Sequence, residues 1–213
     1  MRTKLIIARH GNTFRPGETP TRIGAETDLP LVEEEKGRNI GLYLKEHGLI
    51  PHSIYSSPLM RCIETAGLAV MAMNIERDLT LLPCFTEIDY GVDENKTEEE
   101  VMLRLGNGDL EKGKLIIDAW NKKALVPDGW NVNPQQIIRT WKDFAKKEVR
   151  PHQTALLVAS NGIIRFAPCL TGNVEQFSQE HDLKVATGGI CIFEKENKGP
   201  FWACTAWNLK ATV

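Results

Sequence analysis

The chain has 213 residues, 42% hydrophobic and 25% charged, a balance that fits a globular protein and excludes disorder and fibrous repeats. Its length fits one sizeable α/β domain, 1–213, better than two, with about 93–150 as a helical cover within it. Lysine and arginine number 26 against 28 aspartates and glutamates, a formal net charge of -2 with no basic stripe, which argues against a nucleic-acid partner.

A small acidic metabolite therefore has to be captured by a local arginine cluster. The five cysteines, Cys62, Cys84, Cys169, Cys191 and Cys204, are widely spaced and free of CxxC pairs. That pattern reads as reduced thiols rather than a disulfide frame or a zinc site. The amino-terminal Met1-Arg2-Thr3-Lys4 is basic, but the apolar run after it is too short for a signal peptide or a membrane span. A cytoplasmic protein with no membrane partner is the expectation.

Leu5-Ile6-Ile7-Ala8 is the apolar, β-branched run of a strand buried on both faces of a mainly parallel sheet. Catalytic groups are expected just past its carboxyl end. Residues 11 to 30, punctuated by Gly11, Pro16, Gly17, Pro20, Gly24 and Pro30, read as a long loop, and long ordered loops in compact domains are usually functional. A helix is expected from about Val32 to His47, with Gly48 as its stop.

Ser53 to Ser56 is a second strand. Ser57 as N-cap and Pro58 at the first helical position then start a helix to about Met73. Thr80-Leu81-Leu82 is a third strand, leading to Phe85-Thr86-Glu87. Two or three helices fill about Asp93 to Arg150, interrupted by Gly106-Asn107-Gly108 and Pro127-Asp128-Gly129, with Asn131 or Asn133 capping the last. The acidic run Thr97 to Glu100 reads as a solvated helix start. Ala155 to Ala159 is another buried strand, followed by Ser160-Asn161-Gly162 and a helix carrying Ile163, Ile164, Arg165 and Phe166. Gly189 to Glu194 and Phe201 to Trp207 close the chain as two strands paired around Asn197-Lys198-Gly199-Pro200.

His10, directly after a buried strand and flanked by Arg9 and Gly11, has what a phosphoryl acceptor needs: a nitrogen nucleophile, an adjacent cation and close backbone approach. Arginine suits the task because its planar fork binds two phosphate oxygens and stays charged. Arg61 follows the Ser57-Pro58 cap closely enough to reach the anion that a helix amino terminus attracts.

With these pieces in order, the sequence resembles the histidine phosphatase superfamily, in its phosphoglycerate mutase-like branch. The resemblance rests on Ile7-Ala8-Arg9-His10-Gly11-Asn12-Thr13, Thr27-Asp28-Leu29-Pro30-Leu31, Ser56-Ser57-Pro58-Leu59-Met60-Arg61-Cys62-Ile63-Glu64-Thr65-Ala66, Glu87-Ile88-Asp89-Tyr90-Gly91 and Val158-Ala159-Ser160-Asn161-Gly162-Ile163-Ile164-Arg165. It implies a three-layer α/β/α sandwich with a mainly parallel central sheet. It further implies that His10 is transiently phosphorylated, that Arg9 and Arg61 hold the phosphoryl oxygens, and that Glu87 protonates the leaving oxygen and then activates water. Desolvation beside Phe85 would raise the Glu87 carboxyl toward that double duty. Asn12, Thr13, Gly24 and Gly162 match positions that contact phosphate or the rest of the ester, and Arg22 and Arg165 add positive field.

The family's second catalytic histidine is Asn161 here. Asparagine still donates through its amide but carries no charge, and losing one preorganised donor costs on the order of 10²–10³ in rate. Three readings stand open: a working substitute in a slower phosphatase, a phosphate-ligand-binding protein without turnover, and a His→Asn replacement made to trap a complex. His181 lies in a loop that can approach the site, though a solvated loop histidine is the plainer account. Trp120, Trp130 and Trp141 either line an apolar leaving-group pocket or belong to the core.

The leading expectation is a metal-independent phosphomonoesterase acting on a small phosphorylated metabolite, with no cofactor, because Arg9 and Arg61 supply the positive charge. A phosphoglycerate-type mutase is the alternative within the fold. The segment after Glu87 lacks the longer pattern of dependent mutases, and no polar closing tail follows the last strand. Both points favour water as the acceptor. A homodimer is expected from fold analogy alone.

Overall fold

The computed structural model describes residues 2–196 and 199–212. The Asn197 and Lys198 at the centre of the expected closing hairpin lie outside them. Six strands form one mixed sheet in the order β3-β2-β4-β1-β5-β6. They are β1 (Thr3–Arg9), β2 (Ser53–Ser56), β3 (Leu79–Leu81), β4 (Thr154–Ala159), β5 (Gly189–Lys195) and β6 (Ala203–Lys210). The pairs β3-β2, β2-β4 and β4-β1 are parallel, while β5 runs antiparallel to both β1 and β6.

Period-two alternation sorts the strand side chains onto two faces. Ile6, Ala8, Ile54, Leu156 and Val158 point to a layer made by α1 (Glu34–Glu46) and α2 (Met60–Met73). Leu5, Ile7, Tyr55, Leu157 and Ala159 point to the opposite layer. Three helices contribute there: α3 (Glu98–Leu105), α4 (Leu110–Lys123) and α5 (Pro134–Lys147), bringing Val101, Ile117, Trp120, Trp141 and Phe144. The result is the expected three-layer α/β/α arrangement. Two short helices, α6 (Asn161–Ile164) and α7 (Val174–Glu180), connect β4 to β5.

The helix starts of the cover follow their sequence signals. Thr97 and Glu100 form a reciprocal capping box on α3, Asp109 caps α4, and Asn133 caps α5 ahead of Pro134. The start of α2 differs from expectation. Its N-cap is Leu59, not Ser57, and the first helical residue is Met60, not Pro58. Leu59 offers no side-chain oxygen, so the long loop supplies one: Asp28 Oδ1 accepts the Met60 N–H at 2.7 Å. Arg61 is therefore the second residue of the helix. The last strand runs Ala203–Lys210 rather than Phe201 to Trp207, and the third Leu79–Leu81 rather than Thr80 to Leu82.

Close contact of α1 with α2 positions the nucleophile loop. A Cβ at Gly41 would overlap the Ala69 carbonyl, so only glycine lets the two backbones approach there. From α2, Thr65 Oγ1 accepts the Gly11 N–H at 3.0 Å, fixing the residue after His10. Gly41→Ala is expected to lower stability by about 1–3 kcal/mol through overpacking, read as a lower urea midpoint with an unchanged m-value.

Candidate active site

Parallel pairing of β1 with β4 puts Arg9 opposite Ala159, and His10 extends the ladder by donating its backbone N–H to the Ala159 carbonyl at 3.1 Å. The carboxyl ends of the two central strands thus hold His10 and Ser160-Asn161 side by side. His10 is buried, 4% exposed. Its Nδ1 lies 2.7 Å from the Gly11 carbonyl. A carbonyl only accepts, so Nδ1 carries the proton and Nε2 keeps its lone pair. Burial, then the charges of Arg9 and Arg61, hold the imidazole pKa well below 6.5. His10 is a neutral nucleophile with one assigned free nitrogen.

Arg9, Arg61 and Arg165 form no ion pair, although Arg61 and Arg165 are buried at 0% and 2% exposure. Neutral oxygens hold them instead. Arg9 Nη1 donates to the Val185 carbonyl at 2.6 Å. Arg61 donates from Nη1 to the Thr27 carbonyl and from Nη2 to those of Ile23 and Gly24. Arg165 Nη1 donates to the Trp120 carbonyl. In all three, and in Arg22, the buried Nε–H has no partner. Buried cations with unpaired donors form a seat for an anion.

Glu87 is 6% exposed, and three backbone amides hold it. Oε1 accepts from Ile88 and Ile163, and Oε2 from Gly162 at 2.9 Å. Asn161 uses Oδ1 to accept the Val185 N–H at 2.8 Å. That bond links it to Arg9, because the carbonyl of the same residue, Val185, accepts from the Arg9 guanidinium. The amide Nδ2 of Asn161 is left for the cavity that the residue lines. This cavity, of about 1060 Å³, is bounded by Arg9, His10, Glu87 and Asn161 at its base and by the 12–23 loop and α3 further out.

The sequence model of the histidine phosphatase superfamily (branch 1) matches residues 5–210. The chain belongs to this superfamily. Among curated relatives, a 2,3-bisphosphoglycerate-dependent phosphoglycerate mutase from Bifidobacterium longum is 29% identical over 114 residues, which is 50% of this chain and 44% of that one. The match thus spans less than half the length of the relative. Of solved structures, phosphoglycerate mutase from Bacillus anthracis superposes with a TM-score of 0.77 at 18% identity, covering 98% of this chain and 93% of the other. Phosphoserine phosphatase from Entamoeba histolytica, in complex with 3-phosphoglyceric acid, gives 0.71 at 22% identity, covering 96% and 95%.

In this member of the superfamily, the structure brings His10, Arg9, Glu87 and Asn161 together and places several other residues differently from expectation. Gly24 does not face the cavity: its N–H binds Glu94 and its carbonyl holds Arg61. The Gly162 N–H is taken by Glu87, so it is not open to a ligand in this arrangement. Arg61 sits behind the wall, with Nε as its one unpaired donor. Asn12 and Thr13 line the cavity, but the Asn12 amide is engaged by Glu33 and Lys36. Phe85 packs edge-on against Trp141 and Phe144, and Glu87 rests on amides rather than in an apolar slot.

The three tryptophans are core, not lining. Trp120 and Trp130 act one step removed, with Arg165 4.2 Å from the Trp120 ring centroid and Arg22 5.0 Å from that of Trp130. Arg22 also pairs with Glu98, so the acidic start of α3 is more than a solvated face. His181 ends α7 against the Phe177 ring and does not line the cavity. Tyr90, Asn121 and Lys184 do line it and were not singled out from sequence. Tyr90 belongs to the Glu87-Ile88-Asp89-Tyr90-Gly91 run, whereas Asn121 and Lys184 carry no local signal.

Among the described residues no group of three or more His, Cys, Asp or Glu side chains is arranged to hold a metal ion, and no helix is long and apolar enough to cross a membrane. Because the folded His10 refuses a proton that the unfolded chain binds below 6.5, stability is present above that pH and falls as pH drops through it. Urea unfolding between pH 7 and 5 should show this slope, and His10→Gln should reduce it.

Proposed function

We propose that this protein is a phosphomonoesterase that works through a phosphohistidine at Nε2 of His10. The supporting observation is the Nδ1–H bond to the Gly11 carbonyl, which leaves one uncharged lone pair beside buried arginines. Nε2 attacks phosphorus in line as the P–O ester bond breaks. Glu87 gives its proton to the leaving alcohol oxygen. Water then loses a proton to Glu87 and attacks the phosphohistidine, breaking the P–N bond and releasing phosphate.

Arg9, and the charge of Arg61 from behind the wall, stabilise the charge on the transferring group, so the reaction needs no metal. Asn161 serves twice, donating from Nδ2 to a phosphoryl oxygen and holding Arg9 through Val185. With both oxygens accepting from amides, Glu87 is set to take a proton from water. Oε2 accepts only the Gly162 N–H, which leaves it room to carry the proton that goes to the leaving oxygen. The three amides that hold the carboxylate group also favour a second reading, a phosphate-ligand-binding protein without turnover.

Hydrolysis of p-nitrophenyl phosphate separates the two. Turnover unaffected by EDTA, abolished in His10→Ala and lowered about 10²–10³-fold in Asn161→Ala is the expected result. Loss of activity with EDTA overturns the metal-free mechanism. A silent wild type that gains turnover in Asn161→His overturns the phosphatase reading in favour of binding.

A further inference from the structure

Arg61 is fully buried, yet its guanidinium hangs on three carbonyls of one turn of the long loop: Thr27 at 2.8 Å, Gly24 at 3.2 Å and Ile23 at 3.4 Å. That turn reaches the surface, with Glu26 and Asp28 exposed. Surface loops are more mobile than the elements they connect. Carbonyls on such a turn fix a buried cation only if something fixes them in turn.

Glu94 does this. Its Oε1 accepts both the Gly24 N–H and the Thr27 hydroxyl, each at 2.7 Å. The Gly24 N–H belongs to the peptide group that carries the Ile23 carbonyl, so one planar unit offers its oxygen to Arg61 and its hydrogen to Glu94. Thr27 is shared in the same way, backbone carbonyl to Arg61 and side-chain hydroxyl to Glu94. A Cβ at Gly24 would overlap Glu94 Oε2 and the Ile88 carbonyl, so glycine is what lets the turn sit on the carboxylate. Among the described residues Glu94 forms no ion pair. It orders the partners of Arg61 without pairing with the guanidinium, whose charge acts on the His10 imidazole.

Glu94 is itself seated from the cover. The preceding residue, Asp93, is 1% exposed and accepts the Trp130 indole N–H at 2.7 Å and the Arg104 Nε–H at 2.6 Å. The cover thus grips residue 93 and the next side chain reaches the loop. We propose that Glu94 is a positioning residue for phosphoryl transfer, fixing the loop carbonyls that set the place of Arg61. The inference rests on the phosphatase reading of His10. With Glu94 removed, the turn keeps its tie from the Ala25 N–H to the Ile88 carbonyl at 3.0 Å, so the loop stays attached while the Arg61 acceptors lose their register.

Two readouts test this, hydrolysis of p-nitrophenyl phosphate and the Arg61 side chain itself. Glu94→Ala is expected to lower kcat by about 10–10²-fold with a much smaller change in KM, the cost of a misplaced charge in the transition state. Glu94→Gln keeps an oxygen for both donors and should recover most of that loss. By nitrogen NMR, the Arg61 Nε–H should exchange with water about tenfold faster or more in Glu94→Ala than in the wild type or Glu94→Gln, while the β4 amides keep their rates. If Glu94→Ala does not fold, Thr27→Val removes the hydroxyl alone and should shift both readouts the same way. Unchanged kcat and exchange in the folded variant overturn the positioning role. So does a loss that Glu94→Gln fails to recover, or faster exchange that extends through β4. Faster Arg61 exchange in a protein that hydrolyses no ester keeps the placement of Arg61 and removes the phosphatase. Hydrolysis with unchanged exchange does the reverse.

Discussion

Buried arginines with no carboxylate partner are the constraint around which the site is arranged. A guanidinium taken out of water needs its donors satisfied, and the usual solution is an ion pair. Here backbone carbonyls do the work: Val185 for Arg9, Thr27, Ile23 and Gly24 for Arg61, and Trp120 for Arg165. These carbonyls come from three parts of the chain, so the long loop, the cover and the segment before β5 must all be in place. Carbonyl partners leave the positive charge uncancelled, which an internal carboxylate would not.

The same economy explains the neighbours of His10. Its Nδ1 is spent on Gly11, whose N–H is in turn fixed by Thr65 of α2. Close packing of α1 on α2 at Gly41 therefore bears on the orientation of an imidazole at the end of the adjacent sheet. On the other side, the amide of Asn161 suits its surroundings. The carbonyl oxygen anchors Val185, and through it Arg9, while the amide nitrogen remains for the ligand. An alanine there would leave a buried N–H unpaired as well as removing a donor.

Much of the architecture was legible because it is written locally. The apolar run Leu5 to Ala8 and the caps Thr97, Asp109 and Asn133 each specify an element through their own residues. Ser57-Pro58 misled because the donor that α2 needs met its oxygen from Asp28, 32 residues earlier in the chain. Similarly, Gly24 and Gly162 are expected from sequence to meet the ester, yet their N–H groups answer to Glu94 and Glu87, contacts that only the folded chain defines. Lys184 and Asn121 reach the cavity by topology alone, with no spacing to mark them.

The account stands on the assignment of one nitrogen. During turnover of a phosphate monoester, rapid quench followed by phosphorus and nitrogen NMR should detect an acid-labile, base-stable phosphoramidate at Nε2 of His10, because Nδ1 is occupied by the Gly11 carbonyl. Phosphate on Nδ1, or steady hydrolysis with no phosphohistidine at any time, would contradict it.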